Sequence, residues 1–201
     1  MMTYSYEQHD DVAASEGPTP SQTVGPFFHF ALPYDAGPRL AGADRTGAIT
    51  LSGRVLDGDG TPIPDAMVEI WQADEQGGLE SVGVHGEVAS GGFRNFGRCA
   101  TDVDGGYAFR TVKPGVVPTV DRTQQAPHVA MSVFARGLLQ RVVTRVYFDD
   151  EPTTNTADPL LAAVAADRRS TLIATSVDGS YRFDVRVQGV DETVFLDVLA
   201  R

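Results

Sequence analysis

A single cysteine, Cys99, is all the thiol chemistry this 201-residue chain carries. An internal disulfide is therefore excluded and a multi-thiolate metal centre cannot be built, which suits a reducing compartment. Cys99 itself reads as a small buried residue. Lysine is as scarce: 15 of the 16 basic residues are arginine, and Lys113 stands alone. Acidic residues number 27, giving a formal net charge of -11 and a pI near 4.6. That field repels nucleic acid and anionic membrane, so neither is expected as a partner. No stretch approaches the roughly 20 apolar residues that span a bilayer. The opening MMTYSYEQHDDVAASEG has neither a basic start nor an apolar run, so it does not read as a secretory signal. A soluble, cytoplasmic protein is the expectation. Internal repeats and low-complexity tracts are missing as well.

With 42% hydrophobic residues, the chain can bury a substantial core as a single domain. Residues 1–18 read as a loose polar leader, and 19–201 as one domain that begins with an arm over 19–47. In the arm, TPSQTVGPFFHFALPY mixes Pro20, Gly25 and Pro26 with Phe27, Phe28 and Phe30. This predicts no regular helix, yet too much aromatic surface to stay in water. From Ala48 onward, short alternating runs are separated by turn residues. Strands are predicted at AITLSGRVLD, AMVEIWQAD, on both sides of the Asp104–Gly106 turn, at HVAMSVFA, LQRVVTRVYFDD and STLIATSV, over Tyr181–Val187 and over Thr193–Val198. Between them, the Gly- and Ser-rich loop from Glu75 to Gly97 is of a length that tends to carry function. One short helix is expected: Asp158 as N-cap, Pro159 in the first helical position, and LLAAVAADRR following. Eight or more strands with so little helix predict a mainly β fold, a β-sandwich.

The motifs TPSQTVGPF, VEIWQAD, DVDGGYAFRTVKPG, APHVAMSVFARG and YRFDVRVQGVDETVFLDV occur in that order. Together, over Thr19 to the C-terminus, they resemble the intradiol ring-cleaving dioxygenases. The resemblance implies a transthyretin-like sandwich of mixed sheets. In iron-bearing members, two tyrosines and a His-x-His pair hold the metal; residues i and i+2 of a strand project from one face and reach one ion. Here His128 takes the first place of that pair and Ala130 the second. The family tyrosines fall at Val117 and near Leu79, and the chain has no tyrosine at all between Tyr34 and Tyr107. Gln125 stands where catalytic chains carry an arginine. Three of four ligands are absent, so the resemblance implies no metal in this chain and a structural or vestigial role for His128.

What the resemblance then implies is a noncatalytic subunit. A homologous β chain would carry Fe(III) and cleave protocatechuate with O2 in a larger αβ oligomer. Thr23, Gly25 and Pro26 of the arm and Arg136 of the FARG turn match the residues that such a subunit adds to the wall of its partner's site; Phe27 stands where the family more often has tyrosine. A second reading is a stand-alone transthyretin-like module binding a small aromatic ligand. A hydrolase built on His128, Asp121 and Ser132 is disfavoured, because no nucleophile motif such as G-x-S-x-G is present.

Overall fold

The computed structural model describes residues 22–79, 88–118 and 123–198. The expected leader, His85 and Asp121 lie outside them. Among the described residues, β1 (Ala48–Leu56), β2 (Met67–Gln72), β3 (Phe96–Ala100), β4 (Gly106–Val112), β5 (Val117–Pro118), β6 (Gln124–Gln125), β7 (Val129–Phe134), β8 (Val142–Phe148), β9 (Ile173–Val177), β10 (Ser180–Arg182) and β11 (Val185–Arg186) follow in chain order. The helices are α1 (Phe27–Ala31), α2 (Pro152–Ala157) and α3 (Pro159–Ala163), with a 3-10 turn at Arg169–Leu172.

One long sheet runs β11-β1-β10-β9-β8-β7-β2-β3, with β4 on β1; β5 and β6 form a separate ribbon. β1 pairs antiparallel with β4 and parallel with β10 and β11, so the sheet is mixed. Among the described residues, the ladder pairing that joins its two halves is the short parallel one of β8 with β9. They fold over one core: Leu51, Val55, Phe109 and Val185 from one half meet Val68, Ile70, Met131 and Val146 from the other. Alternation explains this. In β7 every second residue (Val129, Met131, Val133) is buried, and the residues between them face outward. The predicted sandwich is the observed one, nearly closed at the β8–β9 seam.

Several local expectations are corrected. The two strands expected on either side of Asp104–Gly106 are present, and they belong to different halves, β3 pairing with β2 and β4 with β1. Tyr181–Val187 is broken in two at Phe183–Asp184. Thr193–Val198 forms no strand: Thr193 N–H reaches the Arg186 carbonyl and Leu196 N–H the Val143 carbonyl, one bond to each neighbour, which builds no ladder. Phe27–Ala31 is a one-turn helix after all, because Pro26 is its N-cap and Gly25 precedes it, so neither interrupts a hydrogen bond. α2 was not foreseen. The Asp158-capped helix exists but ends at Ala163, where Val164 turns extended. The Arg169 side chain then caps the carbonyls of Ala162 and Val164.

The lone lysine fastens the KPG turn. Lys113 Nζ lies 2.9 Å from Asp150 Oδ2 and 2.7 Å from Glu151 Oε1, above the rings of Phe148 and Tyr181. Burial would lower its pKa, but the two carboxylates outweigh that and raise it.

Candidate functional site

The outward face of β2, β7 and β8 carries His128 and Ala130, the pair that the resemblance sets at the family's metal. Register sets Trp71 beside Ala130, and Ala130 beside Arg145. His128 precedes Ala130 by two residues and faces the same side. Its Nδ1 is 2.7 Å from the Ala126 carbonyl oxygen. A carbonyl only accepts, so Nδ1 holds the proton and Nε2 the lone pair. Burial lowers the His128 pKa, and the neighbouring positive charge of Arg145 pushes the same way.

Behind the imidazole, the Tyr147 ring packs with its centroid 5.8 Å away. Its hydroxyl donates to Asp158 Oδ1 at 3.0 Å. Burial pushes the Tyr147 phenol well above its ordinary pKa, with the Asp158 charge adding to the rise and Arg145 opposing it. The hydroxyl is buried and committed to Asp158 instead of standing free as a ligand. Asp158 is fully buried. Its Oδ1 also accepts from Leu160 N and Leu161 N, and its Oδ2 from Ala126 N, so a single carboxylate caps α3, holds Tyr147 and fixes the backbone under His128.

These residues do not fit a ferric ion. Ala130 offers a methyl group. Val117 sits on β5 opposite Gln125 of β6, and Leu79 is a half-exposed isobutyl group; neither has a donor atom. Among the described residues, no three His, Cys, Asp or Glu side chains converge as a ligand set. One neutral imidazole beside a guanidinium supplies no anionic oxygen to balance the ion, and Arg145 would repel it.

The other candidate residues come together at the far end of the same face. The Val24 N–H donates to the Leu138 carbonyl oxygen at 2.5 Å, laying Thr23, Gly25 and Pro26 beside the FARG turn. Phe28 packs on Phe134 at 5.5 Å between ring centroids, and His29 Nδ1 donates to the Ala66 carbonyl oxygen at 3.0 Å, seating α1 over the end of β2 and β7. Gly137 follows with φ of 85°, a left-handed turn that lets the chain leave the sheet directly after Arg136. Arg136 is 63% exposed and reaches Asp65 Oδ2 through Nε at 3.2 Å. Phe27 and Phe30 are about three-quarters exposed, at 75% and 73%. An apolar groove of about 490 Å³, lined by Val24, Phe28, Phe134, Val143, Phe195 and Val198, runs beside α1. A Cβ built on Gly25 would meet nothing within 4 Å, so this glycine is not demanded by contacts inside the chain.

Sequence reasoning missed three residues here. Asp65 is a turn residue, and only the β2–β7 register brings it to Arg136. Arg145 opposes Ala130 only through β7–β8 pairing. Asp158 was read as a helix cap, and its bonds to Tyr147 and Ala126 belong to the tertiary structure.

The family model described as Dioxygenase matches residues 24–189. The protocatechuate 3,4-dioxygenase alpha chain of Burkholderia cepacia is 44% identical over 197 residues, covering 90% of this chain and 97% of its own length. The alpha chain from Pseudomonas putida is 42% identical, covering 89% and 96%. The Burkholderia cepacia beta chain is more distant, at 33% over 72% of this chain and 66% of its own. Among solved structures, the dioxygenase domain of a carbohydrate-binding fusion from Streptomyces sp. SirexAA-E aligns with a TM-score of 0.57 at 26% identity, covering 87% of this chain and all of that one. A hydroxyquinol 1,2-dioxygenase from Pseudomonas putida shares the fold, with a TM-score of 0.58 at 20% identity over 87% of this chain and 68% of that one. With alpha chains matched almost from end to end and the family model spanning most of its residues, the chain belongs to the intradiol dioxygenase family.

Proposed function

We propose that this chain is the noncatalytic α subunit of a cytoplasmic protocatechuate 3,4-dioxygenase, which cleaves protocatechuate with O2 to 3-carboxy-cis,cis-muconate. In this reading the iron belongs to a homologous β chain, and the α chain supplies part of the wall of that site from Thr23, Gly25, Pro26 and Arg136. The observation that carries it is a contrast within one molecule. The end-to-end likeness is to alpha chains, while the ligand positions of the fold hold Leu79, Val117 and Ala130, with Arg145 beside the one remaining histidine.

The surface supports the second half of the reading. Apolar area normally stays inside a monomer, and a contiguous exposed patch marks an interface. Phe27 and Phe30 stand in water beside the apolar groove and the arm, where a permanent partner would cover them. That cluster argues against a stand-alone binding module, which has no use for it. Arg136 stands at this edge, and Arg141 lines the neighbouring groove. A guanidinium meets a carboxylate through two parallel hydrogen bonds, which matches a substrate that carries a ring carboxylate.

The test is assembly. Co-expression with a β chain should give an oligomer containing both chains and a visible ferric-tyrosinate band, while the chain purified alone should be colourless and self-associated. In the oligomer, Arg136→Ala should raise KM about tenfold with the band intact, because a charge-assisted hydrogen bond is worth about 1.5 to 3 kcal/mol. Iron bound stoichiometrically by the isolated chain would overturn the proposal.

A further inference from the structure

The geometry points to Asp65 as a positioning residue that aims Arg136 at a carboxylate outside this chain; the inference rests on the subunit reading above. The β2–β7 ladder ends with Met67 opposite Phe134. The same antiparallel register carried two residues further sets Asp65 opposite Arg136, on the outward face. Cross-strand neighbours at such a spacing meet directly, and Asp65 Oδ2 forms an ion pair with Arg136, 3.2 Å from its Nε.

The asymmetry of the pair is informative. The Asp65 side chain is 12% exposed and that of Arg136 63%, so the carboxylate is the fixed member and the guanidinium the presented one. Asp65 is held from behind. The next residue, Ala66, is fully buried; its N–H donates to Thr101 Oγ1, and its carbonyl accepts from Thr101 N and His29 Nδ1. The second oxygen, Oδ1, is shut from solvent and has no partner among the described residues. A shielded carboxylate of this kind depends on the one cation it has, so it holds Arg136 more firmly than two exposed side chains would hold each other.

Only Nε is spent. Asp65 is the one partner of Arg136 among the described residues, so the terminal Nη1 and Nη2 edge remains for an incoming group. Those two nitrogens are the fork that grips a planar carboxylate bidentately. Fixing Nε removes rotamer freedom from a long side chain before the ligand arrives, so less entropy is lost on binding. Asp65 thereby acts on the ring carboxylate of an aromatic substrate through Arg136, without touching it.

Binding of two probes to the assembled αβ oligomer tests this, with the visible band as the signal: 4-hydroxybenzoate, which carries the carboxylate, and phenol, which lacks it. Asp65→Asn should weaken 4-hydroxybenzoate about threefold, the scale of one ordered ion pair, and leave phenol unchanged. In the Arg136→Ala background the same substitution should change neither probe, because coupled residues are not additive. Asp65→Glu, which keeps the charge but displaces the fork, should give a smaller loss and carries the test if the amide variant does not assemble. If Asp65→Asn changes neither probe while Arg136→Ala weakens 4-hydroxybenzoate, the positioning role is wrong and the subunit reading stands. Equal weakening of both probes by Asp65→Asn would make Asp65 merely structural and also refute the role. If Arg136→Ala changes neither probe, the carboxylate contact of Arg136 and the positioning role of Asp65 fall together, and the subunit reading is left with the arm residues Thr23, Gly25 and Pro26 as its contribution.

Discussion

Asp158 is where one substitution should reach furthest. The carboxylate is fully buried and accepts four hydrogen bonds: Leu160 N at 2.9 Å, Leu161 N at 3.0 Å and the Tyr147 hydroxyl at 3.0 Å on Oδ1, and Ala126 N at 2.9 Å on Oδ2. Asp158→Ala removes all of them. Loss of the helix cap costs about 1 kcal/mol, and the Tyr147 hydroxyl and Ala126 N–H, each left buried without an acceptor, cost about 1 to 3 kcal/mol apiece. Water entering the space vacated by the side chain recovers part of this, so the lower end, about 3 kcal/mol, is expected. For a domain of this size that is a fall in Tm of about 6 to 12 °C. Asp158→Asn should cost less, about 1 to 3 kcal/mol: the amide oxygen keeps the three Oδ1 bonds, while its NH2 faces the Ala126 N–H, donor against donor. Urea denaturation of the three proteins at one fixed protein concentration measures both differences. An Asp158→Ala protein within 1 kcal/mol of wild type, or an asparagine variant less stable than the alanine one, would refute the account of this carboxylate as a shared acceptor.

Three further outcomes are expected. Gly25→Ala should leave the isolated chain's unfolding free energy within about 0.5 kcal/mol of wild type, since the new methyl group meets no described residue, but should weaken assembly with a β chain or raise KM there; normal assembly and kinetics would show that nothing from outside approaches this glycine. The folded pKa of His128 is lowered, so between it and about 6.5 the unfolded chain binds the extra proton; this contribution to stability is complete above about pH 6.5 and is lost as pH falls through that window. His128→Asn, which retains a donor toward the Ala126 carbonyl, should flatten the dependence of the urea midpoint on pH there, and an unchanged slope would rule out His128 as its source. Lys113 has its pKa raised by Asp150 and Glu151, so an amine-reactive ester at pH 8.5 should label the α-amino group and spare the only lysine; peptide mass mapping that finds Lys113 modified first would show that its two ion pairs do not persist in solution.

Strand periodicity alone was enough for the architecture. The apolar run HVAMSVFA placed β7, the structure then buries Val129, Met131 and Val133 on one face, and Asp158-Pro159 marked a helix start that the structure bears out to the residue. The missing donors were legible too, because whether Ala130 or Val117 offers a ligand atom depends on side-chain chemistry and not on folding. Local signals failed where a single non-local bond decides the outcome. Thr193–Val198 has the composition of a strand but finds a different neighbour at each bond, and Phe27–Ala31 becomes helical because α1 is pinned by Phe134 and the Ala66 carbonyl. The pairs that shape the candidate site were beyond reach in the sequence. Asp65 and Arg136, like Ala130 and Arg145, meet through strand register, and register is set by which hydrophobic faces close on one another across the whole sheet. The sequence by itself therefore determined where the strands run and which side chains lack ligand atoms; only the tertiary structure decided which charges stand beside each other, because cross-strand neighbours 15 residues apart, as Ala130 and Arg145, or 71 apart, as Asp65 and Arg136, come within about 5 Å through space only once the register is set.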